Sequence, residues 1–389
     1  MDLTAPRPLL PLFGDPSLFD KDWPDWPYHS VGSAMQLRTV LTWGAIDTIL
    51  NGHSPQVPAF RMAHDNKLVP VQSITRSERA TSQAVKGLAD PVRVVTELSG
   101  GATLVLQGLQ RLWPPLGDLC RRLAAEIGHP VFVNAYLTPH TEQGFGAHRD
   151  PYHAWLVQIE GSKTWRLWAP ASDPSTEQPD REITLVAGDV LWIPRGWWHS
   201  GHSGKEPSLH LTFTVWATKT DDVLRAMLDE LMHRNDFSQE LPPNHLRDHE
   251  HAAMTVTAVL GEITTMMMEL TSGAVQERLV DGQRERSVPL PARPIEAVLH
   301  DDRQLELHTH PEGVLHIGSD QSGVRLLTAD TVLTVPAELV APCQELLNRT
   351  GTFTLNEIEQ SWPRGSRELL DQLQEARLIC GAACRPGEA

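Results

Sequence analysis

The sequence predicts a mainly β domain, a double-stranded β-helix or jelly-roll barrel with flanking helices, followed by a helical region and a winged-helix-like α+β domain. Three changes in residue composition and periodicity along the 389 residues support this order. Short apolar runs rich in β-branched and aromatic residues fill residues 131–216, which is typical of closely spaced strands. Residues 218–285 have helical periodicity, and residues 291–389 combine short strands with helices.

The expected barrel domain covers residues 1–217 and includes helical decoration before the strands. One helix is expected from about Thr42 to Leu50, ending at Asn51-Gly52, and a second from Gly108 to Ile127, where leucines recur at helical spacing. The first 30 residues are rich in Pro, Asp and Trp and indicate irregular chain along the surface. Barrel strands are expected at residues 131–137, 154–161, 163–170, 183–186, 189–194 and 208–216.

The expected helical region covers residues 218–290 and contains a methionine-rich stripe. Such a stripe is more typical of packing than of a cofactor site, and a dimer interface is one form that packing could take. Three prolines near residue 290 mark a linker into the winged-helix-like domain, residues 291–389. In that domain Thr354 and Glu357 predict a capping box at the start of a short helix.

Composition limits the class of function. The formal net charge of -16 argues against a protein that grips nucleic acid, because phosphate binding requires a basic face. An acidic surface would attract basic partners, although it can equally serve solubility alone. The sequence contains no run of about 18 apolar residues, so no membrane span is expected. The N-terminus does not resemble a signal peptide. With four scattered cysteines, a soluble cytoplasmic protein is expected.

A His-x-Asp pair follows a glycine-rich turn near residue 146. His148 and Asp150 lie two apart on an expected strand, so both side chains point to one face and can share a metal ion. A third ligand is expected after the strand that begins at Asp189, where a turn at Pro194 lets His199 face inward. Two imidazoles and one carboxylate leave three coordination positions open, which is the arrangement of non-haem Fe(II) oxygenases.

A 2-oxoglutarate-dependent oxygenase also needs a cation for the far carboxylate of its co-substrate. Lys163 is the candidate, because it lies between apolar residues where an unpaired ammonium would be costly. A solvated turn lysine after Gly161 fits the same position equally well. The predicted cofactors are therefore Fe(II) and 2-oxoglutarate, with O2 as the oxidant.

Four segments together resemble the ribosomal oxygenases of the JmjC/cupin superfamily: residues 100–124, 134–170, 185–199 and 208–216. The resemblance extends loosely downstream, because that family follows its barrel with a helical dimerisation region and a winged-helix-like domain. It therefore implies that the protein is a homodimer.

The resemblance also assigns roles to individual residues. Tyr136 and Thr214 fall at positions that contact 2-oxoglutarate, and Asn134 falls at a position that faces the substrate. Asn134, Tyr136 and Thr138 alternate along one expected strand, as residues that point into a barrel do. The family's iron ligands and its basic residue for the C5 carboxylate correspond to His148, Asp150, His199 and Lys163.

The implied function is hydroxylation of an unactivated C–H bond on a protein or peptide side chain, with 2-oxoglutarate converted to succinate. The resemblance implies an Arg or His side chain of a basic ribosomal protein. Pro151 and His153 depart from the family pattern near the expected substrate mouth, which leaves room for tailoring of a small peptide natural product. A barrel that has become a non-catalytic binding or regulatory module also fits the fold, as does a cupin that uses Mn, Ni or Zn for non-oxidative chemistry.

Overall fold

The structure, a computed structural model, forms two compact units, residues 2–217 and residues 218–384. Among the described helices, none combines the length and apolar character that a bilayer-spanning segment requires. The residues described are 8–79, 84–140, 145–241, 243, 248–284, 286–288, 306–310, 313–320, 323–328, 331–363 and 366–381.

The first unit is a mainly β core with helices around it. Its helices are α1 (Trp43–Thr48), α2 (Val71–Ile74), α3 (Pro91–Ser99) and α4 (Pro114–Ile127). Its strands are β1 (Tyr28–Ser30), β2 (Phe60–His64), β3 (Lys67–Leu68), β4 (Thr75–Arg79), β5 (Ala84–Ala89), β6 (Thr103–Leu106), β7 (Val131–Thr138), β8 (His148–Arg149), β9 (His153–Glu160), β10 (Ser162–Trp168), β11 (Arg181–Val186), β12 (Val190–Ile193), β13 (Trp198–Ser203) and β14 (Ser208–Val215).

Two antiparallel sheets build the barrel. The major sheet has the order β1-β12-β9-β14-β7-β6-β2-β3, and the minor sheet has the order β11-β10-β13-β8. Inward side chains of both sheets pack into one core cluster, for example Leu156 from β9 against Trp165 and Leu167 from β10. The predicted jelly-roll core is therefore confirmed, and its strands cover the six expected runs.

Strand β14 lies at the centre of the major sheet, between β9 and β7, and every residue of it is buried. Because directly opposite residues of an antiparallel pair share a face, its register decides which side chains meet inside the barrel. His210 lies opposite Tyr136, and Thr212 lies opposite Asn134. Polar side chains from β7 and β14 therefore face the barrel interior together.

The second predicted helix begins later than expected. A 3-10 turn covers Leu109–Arg111, and α4 begins at Pro114 after an extended Trp113. Proline disfavours helical backbone at the residue before it but fits the first turn of a helix, which explains the break. The end is as expected, because Gly128 adopts a left-handed conformation with φ 71°.

The N-terminal segment covers the outer face of the major sheet. Phe13 is fully buried, and its ring centroid lies 5.1 Å from that of Trp155. His153 stacks between Trp23 and Trp192 at ring centroid distances of 4.9 and 5.2 Å. This corrects the expectation that His153 lies at the substrate mouth: residues alternate along β9, so Ala154 and Leu156 point inward and His153 points outward.

The second unit begins with helices α5 (Thr220–Arg234), α6 (His249–Met268) and α7 (Ser272–Arg284), which agrees with the helical texture of the sequence. The predicted capping box between Thr354 and Glu357 is confirmed. The remaining elements are strands β15 (Leu307–Thr309), β16 (Val314–Asp320), β17 (Gly323–Thr328), β18 (Val332–Pro336) and β19 (Ile379–Gly381), with helices α8 (Val340–Leu347), α9 (Leu355–Ser361) and α10 (Arg367–Glu375).

Candidate metal and co-substrate site

The register of two short strands brings His148 and His199 together. They are direct partners in the antiparallel pairing of β8 with β13, so both imidazoles leave the same face of the minor sheet. Asp150 follows at the end of β8, where its carbonyl accepts a hydrogen bond from the Gly196 amide at 2.9 Å. That bond fastens the turn before β13 to the end of β8.

The three side chains form a compact donor set. Ligand atoms from His148, Asp150 and His199 all lie within 4.8 Å of one another. The His199 Nε2 atom lies 3.6 Å from an Asp150 carboxylate oxygen, and the two imidazole centroids are 4.3 Å apart. Two nitrogen donors and one oxygen donor thus converge on a single point, as an ion bound by all three would require.

Backbone carbonyls fix which nitrogen of each imidazole is available. The His148 Nδ1 atom lies 2.9 Å from the carbonyl of Gly146, and the His199 Nδ1 atom lies 3.1 Å from the carbonyl of Trp197. An Nδ1–H that donates to a carbonyl leaves Nε2 as the free lone pair. Burial, with a smaller contribution from the charge of His148, lowers the pKa of His199 to about 4, so this imidazole is neutral at physiological pH.

Lys163 provides a buried cation at the other end of the same cavity. It is 5% exposed, its ammonium donates to the Thr138 hydroxyl at 3.1 Å, and it lies 5.3 Å from the centroid of the Trp165 ring. Burial lowers the pKa of Lys163 to about 7. The interpretation as a solvated turn lysine is therefore wrong, because β10 directs this side chain into the barrel.

A cavity partly open to solvent connects the donor set with Lys163; its empty space is about 460 Å³ when the open solvent at its mouth is included. Trp165 lies beside it, with its ring centroid 6.1 Å from His199 and 5.2 Å from His210. The lining residues are Tyr136, Phe145, His148, Asp150, Ala154, Leu156, Lys163, Trp165, His199, Gly201, His210 and Thr212.

Two residues that line this cavity have buried polar atoms without a hydrogen-bond partner, as expected where a polar ligand binds. The Trp165 Nε1 and His210 Nδ1 atoms are buried and have no hydrogen-bond partner among the described residues. Leaving such groups unpaired is costly unless a ligand completes them. A site with metal donors at one end, a cation at the other and polar groups between them fits a metal ion together with a small dicarboxylate.

The remaining residues singled out by the sequence take different places. Tyr136 lines the cavity and stacks on His210 at 4.8 Å. Asn134 accepts a hydrogen bond from the Gly108 amide at 2.9 Å and also hydrogen-bonds Tyr136. Thr214 is buried, on the same face of β14 as Thr212, but it is not among the lining residues.

Sequence reasoning gives no role to Trp165, Phe145 or Gly201. Trp165 could have been found, because it lies two residues after Lys163 on one strand and so shares its face. Gly201 could not, since its role depends on close packing between strands. A Cβ atom at Gly201 would lie 2.8 Å from Cε of Lys163 and 3.0 Å from the Trp165 ring.

We expect Gly201→Ala to raise the KM for 2-oxoglutarate by about tenfold, because an added methyl displaces Lys163 and displacements of about 1 Å cost up to about a hundredfold. The measurement is succinate formation over a range of 2-oxoglutarate concentrations. Gly261→Ala is the matched control, since a Cβ there meets nothing within 4 Å. An unchanged KM for Gly201→Ala would mean that Lys163 does not contact the co-substrate.

Comparison with known proteins agrees with this geometry. A JmjC domain model matches residues 115–223. The "Bifunctional lysine-specific demethylase and histidyl-hydroxylase NO66" of Drosophila pseudoobscura pseudoobscura is 30% identical over 167 residues, which are 40% of this chain and 18% of the relative. "Ribosomal oxygenase 1" of Danio rerio is 28% identical over 237 residues, which are 54% of this chain and 43% of the relative. The chain thus spans less than half the length of these curated relatives.

Solved structures extend the likeness along the chain. The ribosomal oxygenase YcfD of Escherichia coli has a TM-score of 0.61 at 15% identity, over 94% of this chain and 97% of that chain. YcfD in complex with cobalt and 2-oxoglutarate has a TM-score of 0.59 at 14% identity, over the same shares. These likenesses show a shared fold. Residues 115–223 thus match a JmjC domain, and the chain is similar over part of its length to the ribosomal oxygenases.

Proposed function

We propose that the protein is an Fe(II)- and 2-oxoglutarate-dependent oxygenase that hydroxylates a protein or peptide side chain. The observation that carries this proposal is the single cavity with metal donors at one end, His148, Asp150 and His199, and the buried cation of Lys163 at the other. The solved relative that binds cobalt and 2-oxoglutarate supports it.

When bound, iron and 2-oxoglutarate supply the oxidising chemistry, in which one oxygen atom of O2 enters a C–H bond and the co-substrate leaves as succinate and CO2. The chain's own residues bind and orient the substrates, and they exclude water from the cavity. His148, Asp150 and His199 would hold the metal ion. Lys163 and Thr138 would hold the far carboxylate, and the apolar side chains of Leu156 and Ala154 line the cavity wall.

The donor set alone does not choose among divalent metals, so a cupin that uses Mn, Ni or Zn is a second candidate. Metal analysis of protein purified without air separates the two. Iron at about one equivalent, with 2-oxoglutarate consumed only when iron is present, is the expected result. A tightly bound zinc or nickel with no 2-oxoglutarate turnover would contradict the proposal.

For the substrate, we propose an Arg or His side chain of a ribosomal protein, since one relative is named a histidyl-hydroxylase and another a ribosomal oxygenase. The chain's net charge of -16 is complementary to basic ribosomal proteins. Because such a substrate is met where ribosomes are made or used, we propose that the protein acts in the cytoplasm. Tailoring of a peptide natural product is the competing substrate class.

Incubation of the iron-loaded protein with a ribosomal protein fraction should give a product heavier by about 16 Da, the mass of one oxygen atom, on one Arg or His side chain. The measurement is peptide mass spectrometry with and without 2-oxoglutarate. Candidate precursor peptides provide the parallel arm, and modification of those alone would favour natural-product tailoring. If neither arm gives product and succinate never forms, the non-catalytic binding module becomes the better account.

We also propose that the protein is a homodimer through helices α5 to α7. Helix α6 contains no buried residue, although Met254, Leu260 and Met268 are 67%, 56% and 84% exposed. An apolar helix of this kind is stabilised when a partner covers it. Light scattering should give about twice the 43.2 kDa chain mass, and Leu260→Glu should shift the mass towards the monomer. A wild-type monomer at micromolar concentration would contradict the proposed dimer.

A further inference from the structure

We propose that Arg61 selects the substrate of this site: it binds a carbonyl or carboxylate oxygen of the residue that is oxidised and disfavours a cationic side chain there. The inference rests on the proposed function and narrows it: of the two side chains proposed above, it favours a neutral histidine and disfavours an arginine. Arg61 lies on β2, far in sequence from the metal donors.

The pairing of three strands places Arg61 on the inner face of the major sheet. Arg61 lies opposite Val105 on β6, and Val105 lies opposite Tyr136 on β7. Residues in one such row share a face, and Tyr136 lines the cavity. The neighbours Phe60 and Met62, at 1% and 0% exposure, are buried on the opposite face of β2.

The guanidinium contacts two residues that line the cavity, Phe145 and Tyr136. Its central carbon is 5.1 Å from the centroid of the Phe145 ring. The Phe145 ring lies 6.3 Å from His148 and 6.2 Å from Tyr136, and both of these residues line the cavity. Arg61 also hydrogen-bonds the Tyr136 side chain. The group is thus held beside the cavity by an aromatic face and a hydroxyl.

This guanidinium has hydrogen-bonding capacity to spare. Its Nε atom is buried without a hydrogen-bond partner, and Arg61 takes part in none of the ion pairs found between described residues. Arginines elsewhere in the same unit, such as Arg38 and Arg166, have carboxylate partners. A partly buried guanidinium without a carboxylate is costly unless a ligand supplies an acceptor.

The charges of the loaded site point to the same conclusion. A divalent metal and Lys163 carry three positive charges, and Asp150 with a doubly charged co-substrate carries three negative charges. These groups balance, so the charge of Arg61 is left for the substrate. A guanidinium or ammonium placed beside it would be repelled, whereas an oxygen acceptor would gain a charge-assisted hydrogen bond.

The test uses binding rather than turnover. The protein is loaded with Co(II) and N-oxalylglycine, an inert analogue of 2-oxoglutarate. Dissociation constants are then measured by calorimetry for the N-acetyl-N-methylamides of aspartate, asparagine and arginine. We expect the aspartate and asparagine probes to bind more tightly than the arginine probe, by about ten- to a hundredfold, as expected for like charges a few ångströms apart.

Three variants sharpen the comparison. Arg61→Gln should remove the preference, Arg61→Glu should reverse it in favour of the arginine probe, and Arg61→Lys should keep it. Arg79→Gln is the matched control, because Arg79 is an exposed arginine at the end of β4 and should leave all three constants unchanged. Loading with Co(II) and N-oxalylglycine also reports whether each variant is folded.

Loaded wild-type protein that binds the arginine probe as tightly as the others, or binds none of the three, would overturn this inference alone. The same holds if Arg61→Glu fails to shift the preference while it still binds the metal and the analogue. Wild-type protein that cannot bind Co(II) and N-oxalylglycine would overturn the proposed function, and this inference with it.

Discussion

Replacing His199 with alanine will abolish metal binding and 2-oxoglutarate turnover. Loss of a residue that merely hydrogen-bonds a metal ligand typically lowers metal affinity by about ten- to a hundredfold. Because this variant loses one of the three donors themselves, we expect metal affinity to fall by about a thousandfold or more. The buried cavity offers no replacement, because the only described cluster that could hold a metal is His148, Asp150 and His199. Metal content after anaerobic loading and succinate formation are the two measurements.

His202→Ala is the matched control for this experiment. His202 lies on the same strand, three residues after His199, and alternation along β13 directs it to the other face of the minor sheet, where it pairs with Thr164. The His202→Ala variant should therefore retain wild-type metal content and 2-oxoglutarate turnover. Equal losses in both variants would indicate a general effect on β13 rather than loss of a metal ligand.

Replacing Lys163 with methionine will weaken 2-oxoglutarate binding by about ten- to a hundredfold, while metal binding persists. A hydrogen bond between charged groups is worth about 1.5–3 kcal/mol, and each 1.4 kcal/mol is about tenfold in affinity. Methionine fills similar volume without the charge, so the variant should fold. Calorimetric titration of the cobalt-loaded protein with 2-oxoglutarate measures the change.

The pH dependence of the same titration gives an independent check on Lys163. Burial lowers the pKa of Lys163 to about 7, so above pH 7 the free protein must take up a proton before its ammonium can hold the dianion. Affinity should therefore fall as pH rises from 7 to 9 in the wild type and stay level in Lys163→Met. An affinity that is independent of pH in the wild type would contradict a role for the Lys163 charge.

The barrel is predictable because its strands carry a strong local signal. Apolar alternation in β7, β9, β10 and β14 marks each strand, and β14 is buried along its whole length. The break before α4 follows from the general behaviour of proline, although helical spacing of leucines hides it in the sequence. Local pattern thus locates the elements more reliably than it locates their ends.

The metal donors are predictable because a short motif carries each of them. His148 and Asp150 stand two residues apart, and His199 follows a strand and turn that the sequence marks plainly. Lys163 requires a choice between burial and solvation that only the packing of β10 against β13 decides. Its contact with Thr138 joins the two sheets and therefore depends on how they face each other.

The features that escape prediction depend on contacts distant in sequence. Arg61 lies on a strand that the sequence does not predict, and its neighbour Phe145 is more than eighty residues away. Nearness to the metal motif suggests the substrate mouth for His153, but strand alternation turns it outward onto Trp23 and Trp192. Position near a motif is a weaker guide than the face of the strand.

The most direct test of the account is a crystal structure of protein grown without air with Fe(II) and N-oxalylglycine, measured at the iron absorption edge. We predict one strong anomalous peak in contact with His148, Asp150 and His199, and the analogue extending from it to the Lys163 ammonium. A peak that Asp150 does not contact, or an analogue bound away from Lys163, would contradict the proposed site.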